Sequence, residues 1–268
     1  MADLVDSKCI EVHEDIDLNA TSLGMISAFY YINCETIAML ASSYTDRTKL
    51  KGFLEVITNS VEFTKLFRIR EGESEYLSQL SEKLPFKSPK FNGFAAFRNL
   101  DSKALCLIQA YLSRFELPRE LNADLSSILP TTLKLVHASV DVIASNQWLT
   151  PVLTAMELSQ YLVQATWPKD AALMQIPHFG SDNLVEKCKE NKIESVFDFL
   201  ENDEVRDQIL NSIEARKKND IIKFCNNYPN VEMEFSFKDQ KTKYSPLENV
   251  QMNVVISSDI EESCNFQH

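Results

Sequence analysis

The chain has 268 residues, enough for one or two domains with an ordinary hydrophobic core. Its formal charge is −12, which excludes strong non-specific attraction to phosphate backbones. Only five glycines are present, too few for a fold built on tight strand turns, so helices are favoured.

Residues 1–21 read as an extended lead-in, with Lys8 set against Asp3, Asp6, Glu11, Glu14, Asp15 and Asp17. Helix signals begin at Ser22. LGMISAFYYI, residues 23–32, is almost wholly apolar and is expected to be buried on most sides. Asn33 breaks that helix, and a short helix follows to about Ser43. Asp46 is a candidate cap for a helix through Thr58. Residues 61–71 read as an irregular connection. A helix from about Glu73 ends before Pro85, and 85–98 is a loop. Asp101 is a candidate cap for a helix through Arg114.

The stretch 118–148 is the longest helical pattern in the chain. Leu125, Leu129, Leu133, Val136, Val140 and Ile143 recur at steps of four and three, which places them on one stripe. Leu135 and Val142 lie off that stripe and widen it. Ser127, Thr131, Lys134, Asp141 and Ser145 fall on the opposite side. Such a helix is about 42 Å long at roughly 1.5 Å per residue, against a mean helix of about 11 or 12 residues. The shorter helices are expected to pack around it. Pro130 interrupts it, removing an amide from the carbonyl of Ser126. The stripe keeps its phase across the proline, which favours one kinked helix over two helices broken near Leu129.

Thr150 and Pro151 signal the next helix start, and Pro168 its stop after Trp167. Short helices are expected over 169–175, from a Ser181 or Asp182 cap to about 191, and over 194–201, 203–211 and 214–227. The pattern then changes to period two. Val231, Met233, Phe235 and Phe237 alternate with polar residues and read as a half-buried strand. VQMNVVI, 250–256, is a second strand that can pair with it as a hairpin. The polar tail 257–268 is expected to be disordered.

No residue pattern marks a catalytic centre. There is no GKS or GKT, no GxGxxG, no HExxH and no GxSxG. The six cysteines form no CxxC pair and stand at no metal-ligand spacing with a histidine. They read as reduced, mostly buried thiols of a cytosolic or nuclear protein. Neither a metal nor a cofactor is expected. No apolar run approaches the 18 residues of a membrane-spanning helix, so no membrane partner is expected. His178, in IPHF, reads as a turn histidine that hydrogen-bonds backbone. Trp148 and Trp167 could stack on bases, but their apolar neighbours favour core packing.

Nine short strings in order carry a resemblance. They are LGMISAFYYI, TKLKGFLEVI, RIRE, LIQAYLSR, VDVIASNQWL, TWPKD, IPHF, ESVFD and FCNNYPNVE, spread from residue 23 to residue 232. Together they resemble the Sec sixty-three module that follows the motor domains in large spliceosomal and related helicases. IPHF, ESVFD and CNNYPN look most like the module of a second, C-terminal helicase cassette. The resemblance implies a mainly α fold: a helical bundle around one long helix over 22–175, then a helix–loop–helix piece over 176–229. The first strands of a truncated immunoglobulin-like β-sandwich follow over 230–268. It also implies a nuclear, non-catalytic accessory and docking module of a spliceosomal RNA helicase, acting in pre-messenger-RNA splicing. Implied partners are helicase motor domains, which are not in this chain, and spliceosomal proteins, with RNA bound only weakly. In this family the long bundle helix lies across the nucleic-acid path. Lys134 then faces the strand, with Ser127 and Thr131 beside it. That face carries no second cation. The chain looks like a fragment or a truncated gene product, since a seven-stranded sandwich needs about 100 residues. The alternatives are the cytosolic module of an endoplasmic-reticulum translocon protein and that of a DNA-repair helicase.

Overall fold

The computed structural model describes residues 1–13, 17–92, 94–180, 184–238, 241, 243, 245 and 248–258. They divide into two compact units, Met1–Asp170 and Ala171–His268.

The first unit begins with α1 (Ala2–Asp6) and an antiparallel hairpin of β1 (Ile10–His13) and β2 (Asp17–Ala20), with Ile10 opposite Ala20. An extended lead-in is expected here, but the segment is folded back and tied down. Thr21 donates its hydroxyl to the Lys8 carbonyl at 2.7 Å and its amide to the Cys9 carbonyl at 3.1 Å. Gly24 makes that approach feasible, because a Cβ there would sit 2.0 Å from the Cys9 carbonyl oxygen. The glycine thereby lies directly against the Cys9 backbone, a contact that composition alone does not signal.

The helices α2 (Ser22–Tyr30), α3 (Cys34–Ser43), α4 (Leu50–Ile57), α5 (Glu73–Lys83), α6 (Leu100–Leu112), α7 (Arg119–Ala144) and α8 (Leu149–Gln164) form the bundle. Three 3-10 segments intervene at Val61–Lys65, Pro89–Phe91 and Phe94–Arg98. α7 is the longest helix and touches α2, α3, α4, α6 and α8, so the bundle is arranged around it. It runs unbroken through Pro130, which decides for one helix over two. Ser126 and Pro130 both lie on its exposed side, where water can satisfy the carbonyl that lacks an amide.

The buried face of α7 is rotated from the apolar stripe. Leu121, Leu125, Ile128, Thr132, Leu135, Val136, Ser139, Val142 and Ile143 are buried, whereas Leu129, Leu133 and Val140 are only half-buried. Thr132 and Ser139 can lie inside because each hydroxyl donates to a carbonyl one turn back, Ile128 at 2.9 Å and Leu135 at 2.7 Å. The Ser139 hydroxyl also meets the Tyr44 hydroxyl at 2.8 Å. α2 departs from expectation in the other direction. Leu23, Ile26 and Tyr30 pack on the core, but no residue of α2 is fully buried, and Met25 and Phe29 are exposed.

α6 is the helix enclosed on all sides, with Ser102 through Ala110 buried. Its polar groups are all spoken for. The Gln109 side chain pairs with both backbone groups of Phe86, accepting from N–H at 2.9 Å and donating to C=O at 3.2 Å. Beyond it, Arg114 donates to the carbonyls of Gln164 and Ala165, and Tyr111 to that of Leu162. These bonds satisfy the last turn of α8, which ends at Gln164 rather than at Trp167. The candidate caps differ as well. α4 begins after Lys49 with no side-chain cap, and Asp101 sits inside the first turn of α6, 3.2 Å from Lys90. α8 begins at Leu149, which puts Thr150 and Pro151 in its first turn.

A charge cluster joins α5, α6 and α7. Lys103 is fully enclosed, and its ammonium donates to Glu73 at 2.6 Å, Asp124 at 2.7 Å and the Arg68 carbonyl at 2.9 Å. All three of its protons are used. Arg70 forks onto Asp124 at 2.6 and 2.8 Å and reaches Glu73 at 2.6 Å. Burial pushes both carboxyls up, but the hydrogen bonds from Lys103 and Arg70 outweigh it and hold them below the ordinary range.

The second unit contains a 3-10 turn (Ala172–Gln175), α9 (Leu184–Glu190), α10 (Val196–Glu201), α11 (Asp203–Asn211) and α12 (Ala215–Asn226). Its core holds Leu173, Phe179, Val196, Phe199, Ile209 and Ile221. Ser195 and Asp198 form a reciprocal capping box at the start of α10. Residues 181–183, where a cap for α9 is expected, lie outside the described residues. β3 (Val231–Phe237) and β4 (Met252–Ser258) pair antiparallel, with Phe235 opposite Val254. Residues 259–268, most of the tail expected to be disordered, lie outside the described residues. The chain is thus mainly α, with two small two-stranded sheets among the described residues.

Replacing Lys103 with methionine leaves two buried carboxylates sharing Arg70 alone and should cost about 3–5 kcal/mol, read as a lower denaturation midpoint. Full retention of stability would show that the cluster does not hold the bundle. The acid dependence has a defined sign. Folded Glu73 and Asp124 titrate below their unfolded values of about 4.3 and 3.9, so their contribution is present above that range. It should fall away as pH drops below about 4, and less steeply in Lys103→Met.

Candidate nucleic-acid interface

Of the three residues expected to face RNA, the structure brings two together. Thr131 and Lys134 line an open groove of about 690 Å³ in the first unit. Its other walls come from the end of α2 at Tyr31, the junction at Asn33, and the 3-10 segment at Glu62 and Lys65. Ser127 is not among the lining residues. It lies one turn earlier on α7, exposed, with its hydroxyl turned back to the Asp124 carbonyl at 2.6 Å.

The groove's shape is set by Glu62. One carboxylate oxygen accepts from the Asn33 amide at 2.8 Å, and the other from the Thr36 hydroxyl at 2.6 Å. The Thr36 hydroxyl in turn accepts from the Val61 amide at 3.3 Å. These bonds clamp the α2–α3 junction to the 3-10 segment. Tyr30 fixes the other side, donating to the Asp141 carboxylate on α7 at 2.8 Å. Its partial burial, followed by that carboxylate, pushes the phenol up to about 12.

Charge in the groove differs from the expectation for the helix face alone. Lys65 comes from outside α7 and supplies a second cation beside Lys134. Lys65 is exposed and forms no ion pair among the described residues. Lys134 is half-buried, and its ammonium reaches the Tyr31 carbonyl at 3.5 Å, which leaves most of its donor capacity open. Two lysines thus stand against Glu62, whose oxygens are engaged by neighbouring donors. Sequence reasoning missed Lys65 because it sits in a stretch read only as a connection.

The remaining candidates have structural roles. Trp148 and Trp167 both pack against the bundle core. The Trp167 indole donates to the Ser113 hydroxyl at 2.9 Å, and its ring meets Phe86 edge-on at 5.1 Å. His178 is a turn residue with φ of 67°, as expected, but it also meets a side chain. Its Nε2 lies 2.9 Å from Asp220. Cys9, Cys106, Cys188 and Cys225 are buried free thiols and Cys34 is partly exposed. Burial pushes the Cys106 thiol up to about 12, away from reactivity. Among the described residues no group of three or more His, Cys, Asp or Glu side chains is placed to hold a metal, and no helix is long and apolar enough to cross a membrane.

Comparison with known proteins places these features in a family. Residues 20–267 match the Sec63 Brl domain. The human U5 small nuclear ribonucleoprotein 200 kDa helicase is 41% identical over 243 residues, which is 90% of this chain and 11% of that protein. The Drosophila melanogaster protein of the same name is 42% identical over 248 residues, again 90% and 11%. The Arabidopsis thaliana DExH-box ATP-dependent RNA helicase DExH12 is 36% identical over 267 residues, 97% of this chain and 12% of the relative. The chain therefore spans about a tenth of the length of these relatives. The helical bundle, the small-helix unit and the terminal hairpin occur in one chain that belongs to the Sec63 Brl domain family.

Proposed function

We propose that this chain is a non-catalytic accessory and docking module of a spliceosomal RNA helicase, acting in pre-messenger-RNA splicing in the nucleus. The observation that carries this reading is the identity of 41% across nine-tenths of the chain with a helicase named for the U5 small nuclear ribonucleoprotein. Helicase motor domains and spliceosomal proteins are its partners. Single-stranded RNA is a weak ligand of the groove that Thr131 and Lys134 line, with Ser127 one turn away.

Physical arguments support the division of labour. Phosphoryl transfer needs a loop of backbone amides and a lysine around the nucleotide phosphates. This sequence has no such motif, so ATP hydrolysis is assigned to parts of the relatives that this chain does not match. The charge of −12 keeps the electrostatic share of RNA binding small and local to the two groove lysines. The translocon and DNA-repair alternatives are not favoured, because two of the relatives compared above are named for the U5 small nuclear ribonucleoprotein and the third as an RNA helicase.

The purified chain should not hydrolyse ATP in a steady-state phosphate-release assay. Turnover that follows the protein through successive columns and disappears in a point variant would overturn the non-catalytic assignment. In fluorescence anisotropy at physiological salt, single-stranded RNA should bind no more tightly than about 10⁻⁴ to 10⁻⁶ M, the range of non-specific contacts. Lys134→Ala should weaken that binding further. A nanomolar dissociation constant, or an affinity indifferent to Lys134, is the result that contradicts the groove assignment.

A further inference from the structure

Tyr31 stands out among the residues of the groove. It is 90% exposed, the largest exposure of any large apolar or aromatic side chain described. It also occupies an unfavourable backbone conformation. Its φ of 50° and ψ of 49° lie in the left-handed region, which disfavours residues with a Cβ.

The conformation follows from how α2 ends. The Ile32 amide donates to the Ser27 carbonyl, and the Tyr31 amide to the Ala28 carbonyl. That pair of bonds is a Schellman motif, whose left-handed position is most often glycine and sometimes asparagine. The Ser27 hydroxyl closes the turn onto the Ile32 carbonyl at 2.7 Å. A tyrosine at this position gains no burial in return. Six other non-glycine residues have positive φ among those described, and none of them is a phenylalanine, tyrosine or tryptophan. Of these, Arg114 is accounted for by its bonds to the end of α8.

The location supplies the missing reason. Tyr31 forms one wall of the groove that also holds Lys134, Lys65 and Thr131. An exposed aromatic ring beside two ammonium groups suits a stacked base and its flanking phosphates. An acidic peptide would use the lysines but leave the exposed ring without a partner.

We propose that Tyr31 is a base-stacking residue for single-stranded RNA, with Lys134 and Lys65 on the adjacent phosphates. This rests on the RNA-facing reading of the groove given above and adds to it a residue outside α7. Backbone strain at the end of α2 is retained because it holds the ring out over the groove.

The test compares single-site variants in binding of a twelve-residue oligouridylate at low salt, each with its thermal midpoint. Tyr31→Gly should bind roughly tenfold more weakly, within the range of base–aromatic stacking. Its midpoint should stay level or rise, because glycine suits the left-handed position. Tyr31→Phe should bind as the unsubstituted chain does, and Lys65→Ala and Lys134→Ala more weakly. Loss of binding without loss of stability is an outcome that a purely structural tyrosine would not produce. If Lys134→Ala weakens binding and Tyr31→Gly does not, the stacking inference fails and the groove reading stands. If RNA binds but ignores all four substitutions, or does not bind at all, both fail. Saturable binding of an oligoglutamate peptide that displaces the RNA would assign the lysines to a protein ligand and overturn the inference.

Discussion

An ammonium group with no exposure at all sets the main constraint on this structure. Lys103 lies inside the bundle, and an isolated charge there would cost several kcal/mol. It is tolerated only because Glu73 on α5, Asp124 on α7 and the Arg68 carbonyl surround it at hydrogen-bond distance. Arg70 then balances the second carboxylate. Each partner must keep its position for the set to stay neutral and satisfied, so the cluster fixes how α5, α6 and α7 register against one another. The apolar contacts around it are less directional and would accept small slips.

That registration reaches the groove through α7. Asp124 is anchored near the start of the helix, and Ser139 is held by Tyr44 near its end. Thr131 and Lys134 lie between these two fixed points. The opposite wall is set by a second carboxylate, Glu62, and by the Tyr30–Asp141 bond. The surface that faces solvent is thus positioned by polar contacts behind it, whose geometry is stricter than that of packing. The small-helix unit follows another logic, with a mostly apolar core and a side-chain capping box.

Much of the element order was legible in the residues. β3 and α11 have the expected bounds and α7 keeps its phase through Pro130, but every residue of β3 is exposed, so the half-burial expected from its period-two pattern is not met. The ordered strings were enough to indicate the family. Helix ends were less legible. α8 stops where Arg114 and Tyr111 bond its carbonyls, and both residues lie on the far side of α7 in sequence. α2 was read as buried because it is almost wholly apolar, yet it sits at the surface with Met25 and Phe29 outward. Of the candidate site, Thr131 and Lys134 were found from the polar side of one helix, and Lys65 and Tyr31 were not.

The division has a physical cause. Helical and strand periods, the proline, the glycine scarcity and the absence of a phosphate loop are properties of neighbouring residues, and the sequence by itself determined them. It thereby settled a mainly α chain with a terminal hairpin. Burial of Lys103, Asp124, Thr132 and Ser139 was decided only by tertiary structure, because a polar group can leave water only when distant partners arrive together. The pairing of Lys65 with Lys134 across one groove was decided in the same way. No local pattern records it, since it exists only once the 3-10 segment and α7 have been clamped around the end of α2.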